Sequence, residues 1–139
     1  MHIKILFGGK RPEASYQSLL EHYTKCLSPS ASLEIVYLKS QKTLLEAAAK
    51  EKMPICLDAA GKSLTSEAFS SALIAHLEYA GARATFVIGP AEGLPEHFKK
   101  EHILWSLSPL TFPHPLALLT LVEQIYRGFE IKKGSRYHK

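Results

Sequence analysis

Three prolines fall within seven residues at 109–115, inside the stretch Trp105-Ser106-Leu107-Ser108-Pro109-Leu110-Thr111-Phe112-Pro113-His114-Pro115. Each lacks an amide donor and fixes its own φ, so this segment cannot be a paired strand. The apolar run Ile103 to Leu107 before it suits a short buried strand. Pro115 suits the first helical position, where a missing N–H costs nothing. The helix after it has Leu116, Leu118, Leu119, Leu121, Val122, Ile125, Tyr126 and Phe129 on nearly every face, and is expected to be buried. A stiff loop with Ser108, Thr111 and free backbone groups between a strand and a buried helix is suited to clamping a small molecule. The alternative is a rigid strand-to-helix connection that binds nothing.

The rest of the chain repeats the strand–helix alternation. Strands are expected at 2–8, 33–39, 55–57, 84–89 and 103–107, with helices over about 12–27, 41–52 and 65–81 and a short charged one opened by Pro95. Ser40 precedes the second helix, Thr65 caps the third, and Gly81 stops it. Asp58 to Lys62 is expected to be a turn. This alternation implies an α/β fold, a mainly parallel sheet flanked by helices in one domain over 1–139. Ligands of such sheets sit beyond the carboxyl ends of the strands, which directs attention to the loops after Leu57, Ile88 and Leu107.

Composition excludes several classes. With 46% hydrophobic and 22% charged residues the chain is ordinary for a globular domain. The net charge of +4 permits an anionic partner such as RNA. No run approaches the roughly 20 apolar residues of a membrane span, and residues 1–8 lack a signal peptide's features, so a cytoplasmic protein is expected. Cys26 and Cys56, the two cysteines, have no metal-type spacing and read as reduced core thiols. None of the seven histidines forms HxxxH or HExxH, so no metal is expected. His22, His76 and His97 are expected on helix surfaces. His114, between two prolines, is either part of a site or a positioning group. Neither cysteine is read with a histidine partner, and covalent catalysis finds no support.

Two glycine motifs fall short of nucleotide signatures. Gly61-Lys62-Ser63 ends like a phosphate-binding loop, but Cys56 stands where its first glycine is needed. Gly89-Pro90-Ala91-Glu92-Gly93 follows a strong strand yet lacks the dinucleotide spacing. The C-terminus is more informative. Lys132, Lys133, Arg136 and Lys139 could contact phosphates while Tyr137 stacks on a base, unless these residues are simply a frayed polar end.

Taken together, Leu57-Asp58 with Gly61-Lys62, Ile88-Gly89 through Glu92-Gly93-Leu94, the 105–115 stretch and Tyr137-His138 carry a signature. The chain resembles, over essentially its whole length, the RlmH family of small SPOUT-class methyltransferases, which modify a pseudouridine of large-subunit ribosomal RNA. The resemblance implies a SPOUT-type fold with a C-terminal trefoil knot and S-adenosylmethionine (S-adenosyl-L-methionine) as cofactor. Carried over by position, the cofactor residues are Leu57, Gly89, Leu107, Ser108, Pro109, Leu110, Thr111 and Phe112. It also implies a homodimer in which Tyr137 and His138 of one subunit complete the other's site, with Lys132, Lys133, Arg136 and Lys139 toward RNA. Two positions depart from the pattern. Pro90 replaces a second glycine, and the chain ends at Lys139 where the family continues Arg-Glu; lysine cannot reproduce arginine's bidentate phosphate contact.

The implied reaction is methyl transfer to N3 of the pseudouridine, on the assembled ribosome, with His138 orienting the substrate or relaying a proton and Tyr137 stacking. The competing reading is a non-catalytic ribosome- or RNA-binding protein on the same scaffold. A small nucleotide-binding protein comes third.

Overall fold

The computed structural model describes residues 1–139. Five strands and five helices alternate along the chain: β1 His2–Gly8, α1 Ala14–Leu27, β2 Ser32–Leu38, α2 Gln41–Ala49, β3 Ile55–Ser63, α3 Ser66–Tyr79, β4 Arg83–Ile88, α4 Glu96–Lys100, β5 Ile103–Ser106 and α5 His114–Lys133. The strands form one sheet in the order β2-β1-β4-β3-β5, parallel at every junction. Because side chains alternate across a strand, each inner strand feeds both faces. Ile3, Ile5 and Phe7 of β1 and Ala84, Phe86 and Ile88 of β4 join the larger core with residues of α1, α3 and α5. Leu6 and Val87 point the other way, onto Leu44, Ala48 and Phe98 of α2 and α4. Phe69, Phe86 and Trp105 form an aromatic cluster under α3, with ring centroids 5.6–6.2 Å apart. Such pairs add about 0.5–1.5 kcal/mol beyond their burial.

Four expectations need correction. β3 does not end at Leu57. Leu57 pairs with Trp105, the chain bows out over Asp58–Gly61, and Lys62 returns to the same Trp105 before Ser63 pairs with Ser106. Gly61 makes that return possible, because a Cβ there would lie 2.7–2.8 Å from backbone atoms of Leu104 and Trp105. Its role is therefore close approach within a sheet, which also removes the phosphate-loop reading. Secondly, α5 is buried on one face rather than all round: Leu118, Leu121, Val122, Ile125 and Phe129 are inside while Leu116 is exposed. Thirdly, His76 is buried, its Nε2 has no hydrogen-bond partner, and desolvation pushes its pKa down. It lies on the stripe Phe69, Leu73, His76, Leu77, Ala80 that α3 turns inward. Finally, Cys26 does have a histidine neighbour, since His22 Nε2 lies 3.7 Å from its Sγ one helical turn away. Cys26 is half-buried rather than the core thiol expected, and His22 is exposed.

Gly128 offers a stability test. It faces α3 inside α5, where the Ser70 hydroxyl donates to its carbonyl at 2.6 Å. A Cβ would nevertheless meet only ordinary contacts, the nearest 3.5 Å away at Ser70. Alanine gains about 1 kcal/mol of helix propensity over glycine. Gly128→Ala is therefore expected to raise the melting temperature by about 2–4 °C in a domain of this size, read by calorimetry. A lower melting temperature would mean that α3 and α5 cannot absorb even that contact.

Candidate active site

The start of the bow in β3 and the carboxyl ends of β4 and β5 meet in an open cleft of about 280 Å³. Each wall follows from local sequence. After β4, Pro90 starts a turn closed by Gly93 N–H donating to the Pro90 carbonyl at 2.8 Å, and Gly93 takes a positive φ of 81° that favours glycine. The Gln41 side chain also donates to the Gly93 carbonyl. After β5, buried Ser106 donates from its hydroxyl to the Ser108 carbonyl at 3.1 Å. The Ser108 hydroxyl in turn accepts from Leu110 N–H at 3.0 Å. These bonds shape a loop whose prolines cannot supply backbone donors. Pro113 and Pro115 then start α5 at His114, with proline in the first turn.

Asp58 begins the bow in β3. Its Oδ1 accepts from Ala60 N–H at 2.9 Å and its Oδ2 lies 2.9 Å from Lys99 Nζ of α4. Burial alone would raise this carboxyl, but the Lys99 ammonium and the Ala60 amide outweigh it and hold the pKa below the usual range. A lowered carboxyl pKa stabilises the fold above the unfolded value of about 4, and the effect is lost as pH falls through the folded value. Asp58→Asn should therefore flatten the acid limb of stability against pH, measured as urea midpoints from about pH 5 downward. An unchanged acid limb would show that the Lys99 pair contributes nothing. Cys56, just behind, has its thiol pushed up to about 12 by burial and then by Asp58, so it is inert.

Seven of the eight positions expected to hold cofactor line this cleft: Leu57, Gly89, Leu107, Ser108, Leu110, Thr111 and Phe112. Pro109 is exposed and outside the lining. Asp58, Pro90, Ser106, His114 and Ala117 also line it. Ala117 carried no signal in the sequence. Asp58 could have been found from its place directly after the β3 run. No group of three or more His, Cys, Asp or Glu side chains could hold a metal.

The tail lies elsewhere on α5. Gly134 takes a left-handed φ of 72° and ends the helix, with Ser135 N–H returning to the Glu130 carbonyl at 3.1 Å. This reversal lays Tyr137 and His138 back along α5. Tyr137 donates its hydroxyl to Glu123 at 2.9 Å and lies under the Arg127 guanidinium, 4.8 Å from the ring centroid, with Tyr126 against it at 4.7 Å. Burial, then the bonds to Glu123 and Tyr23, push its pKa up. Arg127 is itself fixed by Glu123 at 2.6 Å. Its guanidinium can only donate, so His138 Nδ1, 3.0 Å away, accepts. Nε2 then carries the hydrogen and donates to Glu67 at 2.6 Å. Lys132, Lys133, Arg136 and Lys139 are exposed, and of these only Lys133 forms an ion pair, with Glu130. Neither Tyr137 nor His138 lines the cleft, and Glu123, which Tyr137 touches, is roughly 9 Å along the helix from Ala117 in the cleft. Within one chain the tail therefore does not reach the cleft.

No helix is long and apolar enough to cross a membrane. Residues 1–138 match the family model described as predicted SPOUT methyltransferase. The chain is 45% identical over its whole length to 99% of a Protochlamydia amoebophila protein named ribosomal RNA large subunit methyltransferase H. It is 37% identical to a protein of that name from Thermus thermophilus, over all of this chain and 99% of the relative. A Clostridium botulinum protein of the same name is 35% identical over the full length of both. With its all-parallel sheet and the cleft at the strand ends, the chain belongs to the SPOUT methyltransferase family.

Proposed function

We propose that this protein transfers the methyl group of S-adenosylmethionine to N3 of a pseudouridine in large-subunit ribosomal RNA, as a cytoplasmic homodimer acting on the assembled ribosome. The observation that carries this reading is the gathering of Leu57, Gly89 and the 107–112 loop around one cleft, in a chain whose relatives are named as methyltransferases of large-subunit ribosomal RNA. The binding-only alternative has no observation of its own in its favour.

The cleft fits the donor. Leu57, Ile88, Leu107 and Phe112 offer apolar walls to an adenosine. Gly89 keeps its side free of a side chain, since a Cβ would come 2.9 Å from Leu94 Cγ. When bound, the cofactor supplies an activated methyl group on a sulfonium, so the protein needs no nucleophile. The residues of this chain orient the acceptor, exclude water and take up the N3 proton. The loop 107–112, threaded with α5 as a trefoil knot, closes over the donor. Leu110 and Leu116 expose apolar side chains, at the cleft and at the start of α5, that a second copy would cover. The tail of that copy then completes the cleft, with Lys132, Lys133, Arg136 and Lys139 on RNA phosphates. His138 can serve as a relay by accepting at Nδ1, once the Arg127 contact gives way, and passing the Nε2 proton to Glu67.

The test uses unmodified ribosomes and methyl-labelled S-adenosylmethionine, followed by nucleoside analysis of the ribosomal RNA. Label in a single pseudouridine, at N3, is expected. Label on another nucleotide, or none with folded dimer and bound cofactor verified, overturns the reading.

A further inference from the structure

A second cavity, of about 480 Å³, opens over the carboxyl end of β1. It falls in the roughly 300–1,000 Å³ range of ligand sites. The β1–α1 connection supplies Gly9, Lys10, Arg11 and Glu13, α1 supplies Tyr16, and α5 supplies His114. His114 also lines the first cleft and is the one residue common to the two linings.

The cations here are unspent. Lys10 and Arg11 are exposed and neither belongs to an ion pair. Arg11 is held in place without being neutralised: its guanidinium lies 5.3 Å from the Tyr37 ring centroid and donates to Gln17 at 3.4 Å. Gln17 in turn donates to the carbonyl of Pro12, which is buried and fixes the turn. Glu13 is the one carboxylate on the lining. The basic tail of a second copy is a poor occupant, because Lys132, Lys133, Arg136 and Lys139 carry the same sign as the cavity.

Resting on the reading that the first cleft holds the methyl donor and that the acceptor base is presented at its mouth, we infer that this cavity binds the RNA nucleotide adjoining the acceptor in the strand. Lys10 and Arg11 neutralise the phosphates on either side, and Tyr16 and His114 offer ring surfaces to the base. His114 then separates the reacting nucleotide from its neighbour and sets how far the acceptor enters.

The experiment measures binding of a short fluorescein-labelled single-stranded oligoribonucleotide to the full-length protein across a salt series, alongside methyl transfer to unmodified ribosomes. The double variant Lys10→Gln/Arg11→Gln is expected to bind about tenfold more weakly, with the slope of log affinity against log salt shallower by about 1.4 for two lost single-strand phosphate contacts. Lys50→Gln/Lys52→Gln removes the same charge at the opposite end of the sheet and should leave both quantities unchanged. Equal losses in the two double variants, or wild-type affinity and slope in the first, overturn the inference. Photo-crosslinking of a 4-thiouridine oligonucleotide to wild-type protein gives a check independent of any variant: adducts within 9–16 support the site, and adducts confined to 132–139 refute it. Should the wild type crosslink at 9–16 yet transfer no methyl group, the RNA site stands and the methyltransferase reading fails.

Discussion

Replacing Gly61 by valine is expected to be among the most damaging single changes in the chain, although the residue is neither in the core nor in the cleft lining. A Cβ at 61 would fall 2.7 Å from the carbonyl carbon of Leu104 and 2.8 Å from its oxygen and from Trp105 N. All three atoms belong to the β5 backbone, which cannot rotate aside as a side chain could. The conflict can be relieved only by separating Lys62 from Trp105 and Ser63 from Ser106, the pairs that close the bow in β3. Overpacking typically costs 1–3 kcal/mol, and a clash against backbone belongs at the top of that range, about 3 kcal/mol. A lower urea midpoint is expected. Cofactor affinity should fall with it, because Asp58 and Leu57 lie at the root of the same bow. Gly61→Ala should show most of the effect, since the first carbon already collides. A variant as stable as wild type would mean that β3 and β5 do not pair beyond Leu57.

The second large effect is expected at the tail. Tyr137→Phe removes only the hydroxyl that Glu123 accepts, and His138→Ala removes the acceptor facing Arg127 and the donor facing Glu67. Within one chain neither residue lines the cleft, and on the proposed reading the partner's tail meets the acceptor rather than the donor, so calorimetric binding of S-adenosylmethionine should be unchanged in both. Transfer to ribosomes should fall by roughly 10²-fold or more for His138→Ala, the scale of a general acid–base or positioning contribution. Tyr137→Phe should fall less, since the ring keeps its contact with Arg127. Glu123→Gln should resemble Tyr137→Phe, because it weakens the group that fixes both Arg127 and the phenol. Unchanged turnover in the His138 and Tyr137 variants would remove the tail from the reaction.

Much of this architecture was legible in the sequence, for reasons that can be named. Periodicity and caps locate every helix within a few residues, and Thr65 caps α3 by accepting from Ala68 N–H at 3.1 Å as its type suggests. The strand-end rule selects the segments after Leu57, Ile88 and Leu107, and all three line the cleft, although the first is a bow within β3 rather than a loop at its end. What escaped depends on distant contacts. The return of β3 to Trp105 requires a partner strand more than forty residues away, and nothing local at Ala59-Ala60-Gly61 announces it. His76 is different: its place on the Phe69–Leu73–Leu77 stripe is visible in the sequence, and in the fold that position outweighs its polar type. His22 and Cys26, four residues apart, were equally open to view. The β1–α1 cavity went unseen because Lys10 and Arg11 acquire meaning only when α5 brings His114 beside them.

The strand order has a consequence for how the chain is made. β1 pairs with β2 at His2↔Ser32, but its other edge waits for β4, where His2 meets Arg83. At a synthesis rate of about 5–20 residues per second, roughly 4–16 s pass between the appearance of these two strands. Throughout that interval Ile3, Ile5 and Phe7 lack most of the large core that covers them in the finished protein. The nascent chain thus carries an unpaired, apolar β1 edge for seconds, a template for wrong pairing. Slowing translation before Arg83 should lower the soluble yield, whereas slowing it after Ile88 should not.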